Sequence, residues 1–461
     1  MAPERSSPEA STPDRSQRAL MIAAATGLLI YAAGVALANF AIAGLAIRIT
    51  GLLVLLWITA RRRTLTAWTF FAVLAGAELG ADAPQVAVHL HVFAEIFLRL
   101  VRVIVAPLIL GTLTTGIAAH GQLKSLGRVA VKTLVYFEVI TTVALLLGVV
   151  AIDLSRAGEG VVVPAAVLGQ QAPAATVAHA GFESFLLNVF PENLVSAIAE
   201  NQILQVAVFS ILFGIALALL SEEKRAPLVA VLESLTAAMF QLTKIIMYMA
   251  PLAAGAALSY TVGSMGIATL LPLAKLVATF YSAALALAVL VFVPVLLVAG
   301  ISVRGFFKAV SEPAAIGFAT SASQSALPLA MERMEEFGVP RWVVSFVIPS
   351  GYSFNMDGAS LYLSIASIFA AQVAGIHLTL WQQAVMVLTL MLTSKGIAGV
   401  PRATLMILMA TAGQFHLPSA PILMILGVDA LIDMGRTALN VTGNCLAAAV
   451  VGKWEQTREL P

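Results

Sequence analysis

Asp429-Ala-Leu-Ile-Asp433-Met-Gly-Arg436-Thr437-Ala-Leu-Asn440-Val-Thr442-Gly443-Asn444 sets two acids, a guanidinium and two carboxamides inside an otherwise apolar run from Ile422 to Val451. At 100° per residue, Asp429, Asp433, Arg436, Asn440 and Asn444 fall within an arc of roughly 80° on one helix face. Charge inside an oily helix is costly, so it usually faces a wet cavity or a partner and marks a solute or ion path. A self-satisfied Asp–Arg pair could act merely as glue between helices, but five polar groups on one stripe exceed what glue requires.

The composition makes the surroundings oily. The chain has 461 residues, 60% hydrophobic and 11% charged, with a mean hydropathy of +0.96. A soluble globular chain carries about a quarter charged residues, so this is an all-α polytopic membrane protein. A net charge of +2 gives no reason to expect nucleic acid as a partner. The single cysteine, Cys445, excludes an internal disulfide framework and a cysteine-based zinc cluster. The six histidines lack metal-binding spacing, and no cofactor or metal is expected.

Outward from the opening stripe, two apolar segments near 304–334 and 379–413 each break at the centre. The first carries Thr320-Ser321-Ala322-Ser323-Gln324-Ser325 and Pro328; the second carries Ser394-Lys395-Gly396-Ile397-Ala398-Gly399-Val400-Pro401. Halves of about twelve residues are too short to span the hydrocarbon core, which predicts two re-entrant hairpins. Each hairpin precedes a full helix. The first holds Pro349, Gly351 and Asn355-Met356-Asp357-Gly358; the second holds the stripe. Hairpin followed by helix, twice, points to repeats around a midplane site. Ordinary helices with Ser/Gly packing patches are the alternative.

Further spans are predicted near 66–82, 92–119, 129–153, 227–258 and 267–300, with a broken helical region before residue 220. Basic residues at Lys124/Arg128/Lys132, Arg304/Lys308 and Lys453/Arg458 mark the cytoplasmic side. Residues 1–18 form a polar tail, expected to be disordered and cytoplasmic. Spans near 19–38 and 41–60 lead to Arg61-Arg62-Arg63; a cleaved signal peptide ending near Ala38 is the rival reading. N-terminal sequencing separates the two.

The chemistry follows from residue types. Arg436 can hold a carboxylate bidentately and keeps its charge. Asp433 could meet an ammonium, so the pair suits an acidic amino acid. Half-helix N-termini at the hairpin tips also favour an anion. Unwound backbone around Gly351–Gly358 could offer carbonyls to a cation, with Asp357 supplying charge. Glu138, in Tyr136-Phe-Glu-Val-Ile-Thr-Thr142, is a lone acid in an apolar helix and a candidate proton carrier.

At Asn355-Met-Asp-Gly358, Ser394–Pro401 and Asp433-Met-Gly-Arg-Thr437 followed by Asn440-Val-Thr-Gly443, the chain resembles the dicarboxylate/amino acid:cation symporters, the glutamate transporters. The resemblance runs from about Leu65 to Trp454 and is strongest to bacterial proton/glutamate symporters. It implies eight core transmembrane helices plus two re-entrant hairpins, a homotrimer, and an elevator mechanism in a cell membrane, with no catalytic residues. The implied divisions are an extra N-terminal hairpin at 19–63, scaffold helices at 64–128 and 180–262, and transport-domain segments at 129–155 and 267–452, before a cytoplasmic tail at 453–461.

Carried over by motif, Arg436 would bind the substrate's side-chain carboxylate and Asp433 its amino group. Ser323, Gly399, Val400, Thr437 and Asn440 would complete the pocket. Cation or proton positions would be Glu138, Thr141, Ser353, Asn355, Met356, Asp357, Ser394 and Asn444. Sodium-coupled members carry an aspartate at Asn444 and a threonine at Ile140. Fewer charged ligands weaken a hard-cation site, so proton coupling is expected over sodium. The implied partners are an acidic amino acid and membrane lipid.

Within the family the rival is a C4-dicarboxylate carrier, against which Asp433 argues because a plain dicarboxylate has no ammonium. A substrate-gated anion conductance could accompany transport. An intramembrane aspartyl protease lacks its Gly-X-Gly-Asp signature here.

Overall fold

A computed structural model describes residues 15–36, 41–118, 127–161, 187, 190–200, 202–393, 404–405, 407–409, 415 and 417–456. Among the described residues the regular structure is helical, without strands, and six helical stretches are long and apolar enough to cross a membrane. Leu53, Trp57, Val131, Leu285 and Val298 are exposed on outer faces, while Asp357, Asp429 and Arg436 are buried. That polarity is the inverse of a water-soluble protein and suits a lipid surround.

The first two helices, α1 (Arg15–Ala36) and α2 (Ala41–Arg62), pack on each other, and α2 packs on α3 (Leu65–Asp82). Thr64 starts α3 by accepting a hydrogen bond from the Ala67 N–H at 3.3 Å, which satisfies one of the first-turn donors. Next come α4 (His91–Ala118), α5 (Gly127–Ser155), α6 (Ile203–Ala218) and α7 (Glu222–Met247). Both α6 and α7 lie against α4.

The span expected over 227–258 is two helices, because α7 ends at Met247 and α8 (Ala250–Met265) begins with Pro251 in its first turn. A proline there lacks only a donor that would have no intrahelical partner, so it suits a helix start. The α8 helix is tightly apposed to α3: a methyl on Gly76 would overlap the Gly255 carbonyl.

Then α9 (Leu270–Leu287) continues through a π turn at Ala288–Phe292 into Val293–Val298. The first hairpin consists of α10 (Val303–Thr320) and α11 (Ser323–Glu336). Its arms have 18 and 14 residues, longer than the twelve expected, and Ser302 caps the first through the Gly305 N–H at 3.2 Å. Ser321, at φ 50° and ψ 28°, terminates α10 in the left-handed region.

The following helix is divided into α12 (Arg341–Phe354) and α13 (Asp357–Val373), with the break at Asn355–Met356. Every residue of α13 except Gln372 is buried. Irregular backbone at membrane depth is tolerated when protein rather than lipid surrounds it, and this break is so enclosed. Next is α14 (Leu380–Thr393), the first arm of the second expected hairpin; its tip, 394–403, lies outside the described residues.

The chain ends in α15 (Ser419–Gln456), 38 residues long, or about 57 Å at the α-helical rise. It touches α10, α11, α12 and α13, and α8 and α9 as well. The opening stripe therefore sits at the centre of the helical assembly.

Candidate functional site

The five polar residues of the stripe are all buried on α15: Asp429, Asp433, Arg436, Asn440 and Asn444. Asp433 and Arg436, one turn apart, form an ion pair through Arg436 Nη2. Arg436 Nη1 has no hydrogen-bond acceptor among the described residues, although the side chain is only 4% exposed. A buried guanidinium with one unsatisfied arm is costly, because its desolvation is only partly offset. The same geometry suits it to accept a carboxylate.

The guanidinium is held from the opposite side. Its Cζ lies 5.6 Å from the centre of the Tyr362 ring, within the range of a cation–π contact. Tyr362 in turn donates its hydroxyl proton to Asp429 Oδ1 at 2.8 Å and packs edge-on against Phe280. Asp429 thus acts on the tyrosine that faces Arg436.

Asn440 faces the break in the helix before α15. Its Oδ1 accepts from the backbone N–H groups of Gly358 at 2.8 Å and Ala359 at 3.2 Å. These belong to the first turn of α13, so Asn440 caps that half-helix from another element. Its Nδ2 lies 3.7 Å from Met356 Sδ. Three residues of the sequence pattern, Met356, Gly358 and Asn440, are thereby brought together.

One turn further on, Asn355 donates to Asn444 Oδ1 at 3.1 Å and to Asp357 Oδ2 at 3.3 Å. Asn355 and Asp357 are fully buried. Asn355 Oδ1 has no donor among the described residues. Gly443 lets the two elements close, because a methyl there would overlap Asp357 Oδ2. The cluster offers carboxylate and carboxamide oxygens to a small cation or a proton.

The other expected positions differ in placement. Ser323 is buried at the start of α11, beside the Ser321–Ala322 turn. Thr437 is buried under Gly317 of α10, so the first hairpin reaches the stripe directly. Thr141 is buried on α5 and donates its hydroxyl to the Phe137 carbonyl at 2.7 Å. Glu138 is half-buried on the same helix, and its carbonyl accepts from Thr142 at 2.6 Å. Ser353 falls in the last turn of α12, with its side chain outside the description. Ser394, Gly399 and Val400 lie outside the described residues.

Two tyrosines belong to the site without having been singled out in the sequence. Tyr362 lies on α13, five positions after Asp357 and directly between Leu361 and Leu363, with no charged neighbour to mark it. Tyr136 is buried on α5 within electrostatic reach of Asp357, and its hydroxyl has no partner among the described residues. Tyr136 opens the Tyr-Phe-Glu phrase, in which Glu138 is the ionisable residue.

Comparison with known proteins places this geometry in context. Residues 65–454 match the model of the sodium:dicarboxylate symporter family. A proton/glutamate-aspartate symporter of Escherichia coli (strain K12) is 42% identical over 367 residues, covering 78% of this chain and 84% of the relative. A proton/sodium-glutamate symport protein of Geobacillus stearothermophilus is 37% identical over 84% of this chain and 94% of its own length. A C4-dicarboxylate transport protein of Anaeromyxobacter sp. (strain K) is 40% identical over 85% of this chain and 90% of its own length.

Proposed function

The chain belongs to the sodium:dicarboxylate symporter family, and from that premise we propose that it imports L-glutamate or L-aspartate together with protons. It is a secondary transporter rather than an enzyme, and a multi-pass protein of the cell membrane.

The observation that carries the reading is the charge inventory around Arg436. Among the described residues, Asp433 pairs with a buried guanidinium that keeps an open donor, Asp429 is buried on the same helix against Tyr362, and a third buried carboxylate, Asp357, stands at the adjoining helix break. An anionic solute binds Arg436, but the excess acid makes its entry unfavourable unless cations come with it. Symport is the consequence. In this reading Arg436 holds the side-chain carboxylate, while Asp433 exchanges its bond to Arg436 for the substrate ammonium. Ser323, Thr437, Asn440 and the Gly399–Val400 tip complete the pocket. Cations or protons use Asp357, Asn355, Met356 and Asn444, with Thr141, Ser353 and Ser394 nearby in the family pattern and Glu138 as a proton carrier.

Proton rather than sodium coupling is supported by Asn444. It meets Asn355 as one neutral amide against another, and a site with one fewer carboxylate binds a hard cation less well. The family pattern further supports a homotrimer in which 64–128 and 180–262 stay fixed while 129–155 and 267–452 move as an elevator.

Uptake of labelled glutamate, aspartate and succinate into proteoliposomes, under imposed proton or sodium gradients, is the direct test. Inward acid-driven glutamate uptake is expected without sodium. Uptake driven by sodium alone, with no response to the pH gradient, would overturn the coupling. C4-dicarboxylate transport is the second reading, favoured by the 40%-identical relative of that name. Asp433→Asn separates the two, because it should depress glutamate uptake far more than succinate uptake.

A further inference from the structure

Residues 15–62 precede the family match, yet they are joined to its first helix through charge. Arg48 of α2 pairs with Glu78 of α3 at 3.0 Å and with Asp82 at 3.3 Å. Tyr31 of α1 donates its hydroxyl to Glu78 Oε2 at 2.9 Å. Glu78 is 9% exposed, and the Arg48 side chain is 16% exposed. One carboxylate therefore receives a ligand from each of the two extra helices.

The three groups meet at one depth. Tyr31, Arg48 and Glu78 each lie thirteen residues along their helices from Arg18, Arg61 and Leu65 respectively. At the α-helical rise that is about 20 Å, which places Glu78 one turn before the C-terminal end of α3 at Asp82. A lone acid so buried is strongly disfavoured, and removing one partner of a buried pair leaves the other uncompensated.

The position of Glu78 on its helix matters as well. It stands about 200° around α3 from both Gly76 and Gly80, the positions that approach α8. Asp82, one turn on, shares the Glu78 face. So α3 is held between α8 on one side and the N-terminal hairpin on the other, and α8 in turn packs against α15.

The geometry points to residues 15–62 as a built-in docking partner of α3, with Arg48 the counter-ion of Glu78 and Asp82 and with Tyr31 completing the carboxylate. The hairpin is thereby a brace of the α3–α8 wall, against which the substrate-bearing helix lies, and not a loosely tethered anchor. The docking stands on these contacts alone; the effect on uptake rests on the transport reading above.

A double-substitution cycle on the full chain tests it, comparing Arg48→Leu, Glu78→Gln and the pair by thermal unfolding in detergent. Arg48→Leu should lower the midpoint by roughly 5 °C or more, and adding Glu78→Gln should regain at least half of that loss. If Arg48→Leu alone fails to fold, a folded double variant supports the docking and an unfolded one overturns it. A midpoint within about 1 °C of the parent for Arg48→Leu, or a double variant no more stable than that single variant, also overturns it. In proteoliposomes Arg48→Leu should reduce the maximal glutamate uptake rate severalfold without changing KM, since no pocket residue is touched. An unchanged rate would remove the brace. A parent protein that takes up no glutamate while the thermal cycle behaves as expected would sink the transport reading and leave the docking intact.

Discussion

The Arg436 side chain is committed on three sides, to Asp433, to the Tyr362 ring and to the protein interior. Its planar fork, not its charge alone, is what the arrangement exploits. Arg436→Lys keeps a cation but loses the second arm and the ring stacking, so the KM for glutamate should rise at least about tenfold, the equivalent of 1.4 kcal/mol. Concentration-dependent uptake reads this directly, and an unchanged KM would detach Arg436 from the substrate. Asn444 gives the complementary prediction. Asn444→Asp adds a carboxylate beside Asn355 and Asp357, which should create or strengthen a sodium requirement. Uptake measured at constant pH with and without sodium decides it. The identities of both residues were legible in the sequence because polar groups stand out in an apolar run. Tyr362 was not, since an aromatic residue on an apolar helix carries no mark until its neighbours are known.

Among the helices, the breaks matter more than the spans. Asn355–Met356 interrupts α12–α13, and the interruption is stable because Asn440 of another helix satisfies the first-turn donors of α13. The break in the first hairpin has a different cause, a non-glycine residue in the left-handed region at Ser321. Glycine adopts that conformation without the Cβ penalty. Ser321→Gly should therefore hold or raise stability by up to about 1 kcal/mol, whereas β-branched Ser321→Val should lower it by at least that amount. In thermal unfolding, the Ser321→Gly midpoint should match or exceed that of the parent and the Ser321→Val midpoint should fall below it. The hairpin itself was readable from the polar Thr320–Ser325 run. Its arm lengths were not, because Pro313 and Pro328 lie inside the arms rather than ending them. The division at Tyr248–Met249 was also missed, since an apolar run continues through it and only Pro251 hints at a new helix.

Taken whole, the molecule buries Asp429, Asp433 and Arg436 on one helix and surrounds them with apolar helices. Proton coupling at this scale requires a group that changes charge as the substrate moves. Glu138 is the expected carrier, and Glu138→Gln should flatten the dependence of net glutamate uptake on an imposed pH gradient while substrate exchange at equal pH persists. A parent-like pH response in that variant would shift the role to the Asp357 cluster, which lies within electrostatic reach of Tyr136. The sequence by itself determined the membrane-spanning class, the two broken segments and the polar stripe, because each is a local departure from apolar periodicity. Only the tertiary structure decided what the stripe touches: Asn440 on the α13 start, Asn444 on Asn355, Tyr362 between Asp429 and Arg436. It also decided that Glu78 meets Arg48 and Tyr31 of the N-terminal hairpin. These are contacts between residues dozens of positions apart in the chain, fixed by how helices pack, and no local pattern encodes them.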